Sequence, residues 1–266
     1  MKLRRPAVAG SFYPADPAAL AAAVDGYVAA GRQHLARSGT GQRPKAVIVP
    51  HAGYVYSGPI AGTAYAAVAG SAAIERVVLL GPAHRVYVDG LAASSADAYA
   101  TPLGEIPLDR PAIDALLHRS DVAVVDAAHA AEHSLEVQLP FLQRVLGPFR
   151  LVPLAVGAAT HAVVADVLDE LWGGADTLIV ISSDLSHYYD YATATRLDAD
   201  TAAAIETLHP ERLDTESACG RIPVGGLLIA AQRRGLRGRL LDLRNSGDTA
   251  GPREEVVGYG AFAFSS

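Results

Sequence analysis

A single α/β domain of three layers, with a mostly parallel or mixed central sheet covered by helices on both faces, is predicted from two observations. Short β-rich apolar runs alternate with longer amphipathic patterns, which is the signature of βαβ units. The runs are near-continuously apolar, as strands buried on both faces are. The 266 residues, half of them apolar, suffice for one large core. With no repeat, linker or low-complexity stretch, the expected unit is residues 1–266.

Asp16 before Pro17 makes an N-cap and first-turn pair, so the Ala-rich segment Pro17–Leu35 is predicted as a helix ending before a Ser38-Gly39-Thr40-Gly41 loop. Core strands are expected at Ala46–Val49, Arg76–Leu80, Leu151–Val156 and Thr177–Ile181, forming the sheet centre. Amphipathic patterns predict covering helices at Pro59–Val68, Pro111–His118, Ser134–Val145, His161–Leu171, Ala192–Leu208 and Ile222–Arg233. Leu240–Leu243 and Val256–Phe264 alternate more and are expected as outer strands of the same sheet.

The 22 basic and 28 acidic residues leave a net charge of -6 without a clustered Lys/Arg surface, which argues against nucleic acid as a partner. No window approaches the roughly 20 uninterrupted apolar residues that a membrane span requires. The opening MKLRRPAVAGSFYP reaches Pro, Gly and Ser before any sustained apolar region, unlike a signal peptide, and a cytoplasmic location is expected. A single cysteine excludes an intramolecular disulfide and leaves Cys219 as a ligand, a nucleophile or a buried small hydrophobe.

Three histidines share one structural address. His51, His84 and His187 each lie just past the carboxyl end of a predicted strand, where open α/β sheets bind their ligands. Pro50-His51-Ala52-Gly53 and Gly81-Pro82-Ala83-His84 read as tight turns, where a large polar side chain is an odd choice for packing alone. His187 follows Ser182-Ser183-Asp184, whose Asp184 can orient an imidazole or ligate a metal, while the same Ser/Asp cluster also suits a cap. His34, His118, His161 and His209 read as ordinary surface or core histidines. Cys219 precedes a predicted helix, and that helix N-terminus together with Arg221 is expected to favour a thiolate.

In Glu132-His133-Ser134-Leu135-Glu136, expected to open a helix, the i,i+4 carboxylates and the i,i+3 pair His133/Glu136 suggest a proton-transfer or supporting carboxylate, with helix capping as the plainer alternative. No G-x-G-x-x-G, P-loop, H-E-x-x-H, G-x-S-x-G or C-x-x-C is present, so nucleotide-dependent and α/β-hydrolase chemistry lose support. Two imidazoles and a thiolate suit Fe(II), copper or zinc and do not choose among them.

At these residues the chain resembles the Memo family, including bacterial and archaeal members described as AmmeMemoRadiSam system protein B. The matching segments are AGSFYP (Ala9 to Pro14), VPHAGYVYSGP (Val49 to Pro59), LGPAHR (Leu80 to Arg85), EHSLEVQLPF (Glu132 to Phe141), SSDLSH (Ser182 to His187) and CGRIPVG (Cys219 to Gly225). The resemblance implies a fold like the class III extradiol dioxygenases. It implies His51 and His84 as metal ligands, His187 at the acid/base position, and Cys219 where those dioxygenases use a carboxylate. That departure weighs against ring cleavage, because the ligand is softer and oxidisable.

The expected function is therefore a redox protein using iron or copper through His51, His84 and Cys219. His187 would transfer protons, with Asp184 or Glu132 in support, on an unknown small molecule or peptide and in association with a radical SAM protein. Two alternatives stand beside it: a partner- or peptide-binding module with a vestigial site, and a zinc hydrolase.

Overall fold

Aliphatic runs without a polar position can be buried only inside a sheet covered on both faces, and there the chain puts them. The computed structural model describes residues 1–38, 42–70 and 74–266. Its strands are β1 (Leu3–Arg4), β2 (Ala46–Val49), β3 (Arg76–Pro82), β4 (Leu91–Ala93), β5 (Ala98–Thr101), β6 (Gly104–Pro107), β7 (Val122–Val124), β8 (Arg150–Val156), β9 (Thr177–Ser182), β10 (His187–Tyr189), β11 (Arg237–Asn245) and β12 (Val256–Ser265). Its helices are α1 (Pro17–Ser38), α2 (Tyr54–Val68), α3 (Arg110–Leu116), α4 (Asp126–Ala130), α5 (His133–Glu136), α6 (Leu139–Val145), α7 (His161–Leu171), α8 (Tyr191–Glu206) and α9 (Arg221–Arg233).

The main sheet runs β10-β12-β2-β9-β3-β8-β4-β7, with β11 also paired to β12. Its centre, β2, β9, β3 and β8, is parallel throughout and comprises the four strands expected from the apolar runs. Antiparallel β12 and β4 flank it, so the sheet is mixed. Helices α1, α2 and α6 pack together on one side, and α7 packs on α9 on the other. A small second sheet, β1-β5-β6, sits apart from this stack.

Asp16 caps α1 as expected, accepting from the Ala19 N–H at 2.8 Å. The Gly39-Thr40-Gly41 part of the predicted loop lies outside the described residues. Helix α2 begins a turn earlier than expected and carries Pro59 inside it. Leu240–Leu243 lies within β11, but β12 is an inner strand between β10 and β2.

The largest departure is at Ser134–Val145, expected as one helix and found as two, α5 and α6, broken at Val137 and Gln138. Glu136 is fully buried at the end of α5 and does not face the site. It pairs with the Arg4 guanidinium and accepts from the N–H groups of Ala7 (2.7 Å) and Val8 (3.0 Å) and from the Tyr13 hydroxyl (2.6 Å). One carboxylate thus fastens residues 4–13 across the molecule. The Phe12 carbonyl in turn accepts from the Tyr54 N–H at the start of α2 (2.8 Å).

Glu136→Gln should therefore lower the urea-unfolding free energy by about 3–5 kcal/mol, the usual result of stranding one buried charge. An unchanged midpoint would show that Arg4 finds solvent once its partner is neutral.

Candidate metal centre

Parallel strands end on one edge, so residues two beyond β2, β3 and β9 become neighbours. His51, His84 and Asp184 hold those three positions. Val49 is in register with Ser182, which brings the ends of β2 and β9 side by side. Cys219 arrives from the turn before α9. There Gly220 lies so close to β9 that a Cβ would sit 2.7 Å from Ser183 Cβ, and its N–H donates to Ser183 Oγ at 2.9 Å. Only glycine lets the thiol approach this closely. Cys219 Sγ stands 3.3 Å from His51 Nε2. One donor atom from each of His51, His84 and Cys219 lies within 4.8 Å of the others.

The hydrogen bonds assign both histidine tautomers. Gln138 is oriented by the Tyr65 hydroxyl, which donates to its Oε1 (2.8 Å), and by its own Nε2 donating to the Pro50 carbonyl (2.9 Å). The same Nε2 donates to Ser182 Oγ (2.8 Å), and Ser182 spends its only proton on the Ser134 carbonyl (2.6 Å). The remaining contact to Ser182 Oγ, from His51 Nδ1 at 2.9 Å, must then be a donation. His51 is left with a bare Nε2 facing the thiol. In the second case Glu132 accepts from His84 Nδ1 (2.9 Å), the His84 N–H (2.6 Å) and the Ser134 N–H (2.9 Å). His84 therefore also turns a bare Nε2 away from its anchor. A hydrogen-bonded second nitrogen is what ligating histidines ordinarily have.

Burial opposes charge throughout. It drives His51 well below the usual imidazole range, helped by His84 and His133. It also lowers His187 and brings His133 down to about 4. Asp184, which accepts from the His51 N–H at 2.7 Å, is raised by burial to about 7. Glu132 goes the other way: burial raises it, but the bonds from His84 and Ser134 outweigh that and bring it down to about 2.

The thiolate expected at Cys219 is overturned for the metal-free protein. Burial, then the Asp184 charge, push the thiol up to about 12, and the adjacent N–H of Gly220 does not compensate. The proton there is one that a divalent ion would have to replace.

A cleft of about 730 Å³ opens over these groups. His51, His84, Asp184 and Cys219 line it together with His187, while Glu132 stands behind His84 as its anchor. His34, His118, His161 and His209 lie elsewhere. Gln138 and Ser182 were not anticipated as participants, and His133 was anticipated only through its i,i+3 pairing with Glu136. His133 stacks on His84 with ring centroids 4.7 Å apart and meets His51 edge-on at 5.4 Å. Its buried Nδ1 has no hydrogen-bond partner, and with His84 and Glu132 it forms a second cluster of donors. Gln138 and Ser182 set the His51 tautomer. The available signal for His133 was its place beside Glu132 at a helix start. Gln138 carried none, because its role depends on the break between α5 and α6.

Residues 4–263 match the family described as Memo-like protein. The chain is similar to a MEMO1 family protein of Aeropyrum pernix, with 39% identity over 98% of this chain and 99% of the relative. A MEMO1 family protein of Aquifex aeolicus is 37% identical, covering 97% and 98%, and one of Methanopyrus kandleri is 37% identical, covering 98% of each.

Asp184 gives a pH test of this buried geometry. Its carboxyl is raised to about 7 when folded and sits near the ordinary aspartate value of 3.8 when unfolded, so the unfolded state holds fewer protons between those values and stability falls as pH rises through them. Asp184→Asn removes that slope. Urea denaturation of the chelator-treated variant and wild type at acid, mildly acid and neutral pH should show the variant gaining on wild type by up to about 4 kcal/mol. Parallel curves would place the carboxyl in water.

Proposed function

The chain belongs to the Memo family, and from that premise we propose a metal-dependent redox protein that holds iron or copper through His51 Nε2, His84 Nε2 and Cys219 Sγ. One observation carries this reading: two imidazoles, each anchored through Nδ1, present bare nitrogens beside a half-buried thiol. The donor set fits a borderline-soft transition ion and suits Mg²⁺ or Ca²⁺ poorly. Such an ion would supply one-electron chemistry and polarise a bound oxygen atom.

The chain's own side chains do the rest. Gln138, Ser182 and Glu132 hold the imidazoles in place. Neutral His187 offers a proton acceptor on the cleft wall, and Asp184 carries an exchangeable proton beside His51. Phe12 and Tyr259 add apolar surface to the cleft lining. The substrate class in this proposal is a small molecule or peptide, and the partner is a radical SAM protein of the same cellular setting, the cytoplasm.

The test is anaerobic purification followed by elemental mass spectrometry of iron, copper and zinc in wild type, His51→Ala and Cys219→Ser. Near-stoichiometric iron or copper lost in both variants is the expected result. Tightly held zinc would instead favour a hydrolase, and wild type no richer in metal than the variants would leave a partner-binding module.

A further inference from the structure

The outer half of the cleft carries a feature that metal binding does not explain. Tyr188 has φ 62°, in the left-handed region, a conformation that costs a non-glycine residue roughly 1–2 kcal/mol. The pairing of β10 with β12 slips at the same place, between His187 and Tyr189. In a regular strand, residues 187 and 188 would face opposite ways. Here both line the cleft, and the Tyr188 ring stays 72% exposed. Backbone strain that holds a large aromatic ring in water needs a reason beyond folding.

Three neighbours suggest the reason. Tyr56, 39% exposed on the first turn of α2, lines the same cleft, and Tyr259 on β12, only 1% exposed, stands behind it as buried floor. Glu255 is exposed there, and among the described residues its carboxylate has no hydrogen bond or ion pair. Among the described residues no Lys or Arg lines the cleft. The adjacent Arg253 is turned onto the Tyr191 ring (4.3 Å) and toward Asp248 (4.0 Å). Arg85, whose charge reaches His133, stands outside the lining.

We propose that Tyr56, Tyr188 and Glu255 form a recognition subsite for an organic ammonium group on the substrate. This rests on the reading of the cleft as a substrate site and adds a charge to the substrate class. Tyrosine faces attract a cation through the ring quadrupole, and a carboxylate at the rim supplies the countercharge. The Tyr259 hydroxyl is raised by burial and then by Asp184, Tyr56 and Tyr188, as expected where these groups converge. An anionic substrate would meet the Glu255 carboxylate with no Lys or Arg among the described lining residues to offset it.

The experiment is calorimetric or NMR titration of the full chain with phenyltrimethylammonium, benzyl alcohol and benzenesulfonate, in chelator-treated and metal-loaded protein. The cation should bind about tenfold more tightly than the sulfonate, equivalent to about 1.4 kcal/mol. Tyr188→Ala and Glu255→Gln should each remove most of that preference, and Tyr188→Phe should keep it. Circular dichroism and metal content should match wild type in all three variants.

Equal or tighter binding of benzenesulfonate would overturn the proposal and point to Arg85. Absence of cation binding at millimolar concentration, or a preference indifferent to Tyr188 and Glu255, would overturn it as well. The chelator-treated titration reads this subsite even if the metal assignment fails, so the two failures are distinguishable.

Discussion

The single proton of the Ser182 hydroxyl is the constraint on which the centre depends. Because it is committed to the Ser134 carbonyl, Ser182 can only accept from Gln138 and His51, and the His51 ring is thereby fixed in tautomer and direction. This requires α5 and β9 to be in contact, and Gly81 permits it. A Cβ at Gly81 would lie 2.8 Å from Ser134 Oγ, which itself donates to the Pro82 carbonyl at 2.9 Å. The end of β3 is pinned to the same helix start that anchors His84 through Glu132. The bare nitrogens of His51 and His84 therefore inherit their positions from fully committed hydrogen bonds, those at His51 buried and those at His84 part-buried, the kind that are expensive to break.

How much of this was legible in the sequence follows from which forces act locally. The four central strands were readable because double-sided burial leaves an unbroken aliphatic run, and their carboxyl ends located His51 and His84; the third end was read as placing His187, which instead opens β10, while Asp184 holds the position two residues beyond β9. Short strands β4 to β7 and β10 carried no such run. The break after α5 was hidden because the apolar period continues across it, although Pro140 in the first turn of α6 is a helix-start signal. Glu136 was misjudged for a geometric reason. The i,i+4 rule applies only between residues with helical dihedrals, and Glu132 is the N-cap, with φ -80° and ψ 126°. The two carboxylates diverge, one toward His84 and the other toward the N-terminal segment.

The thiol shows the same limit in electrostatic form. A helix N-terminus and a nearby arginine favour a thiolate only to the extent that water does not already stabilise it, and at Cys219 the loss of water dominates. His51, Cys219 and Asp184 all shift toward their neutral forms, so the metal-free site carries less charge than the same groups would in water. A site of this kind favours an ion that displaces the thiol proton and forms strong bonds to nitrogen and sulfur. A hard cation that needs several preformed anions finds little there.

Glu132 stands apart from those three groups. Held at about 2 by three donors, it remains charged behind His84 and beside His133, whose Nδ1 lies 3.4 Å from its Oε1. A carboxylate behind an imidazole raises the basicity of the far nitrogen, which strengthens His84 as a donor without adding a ligand. The Phe12 ring, 4.8 Å from His133, is brought there by the segment that Glu136 fastens. The two acids of one short helix thus divide the work. Glu132 supplies charge to the histidine cluster, and Glu136 supplies the apolar wall that keeps water from weakening that charge.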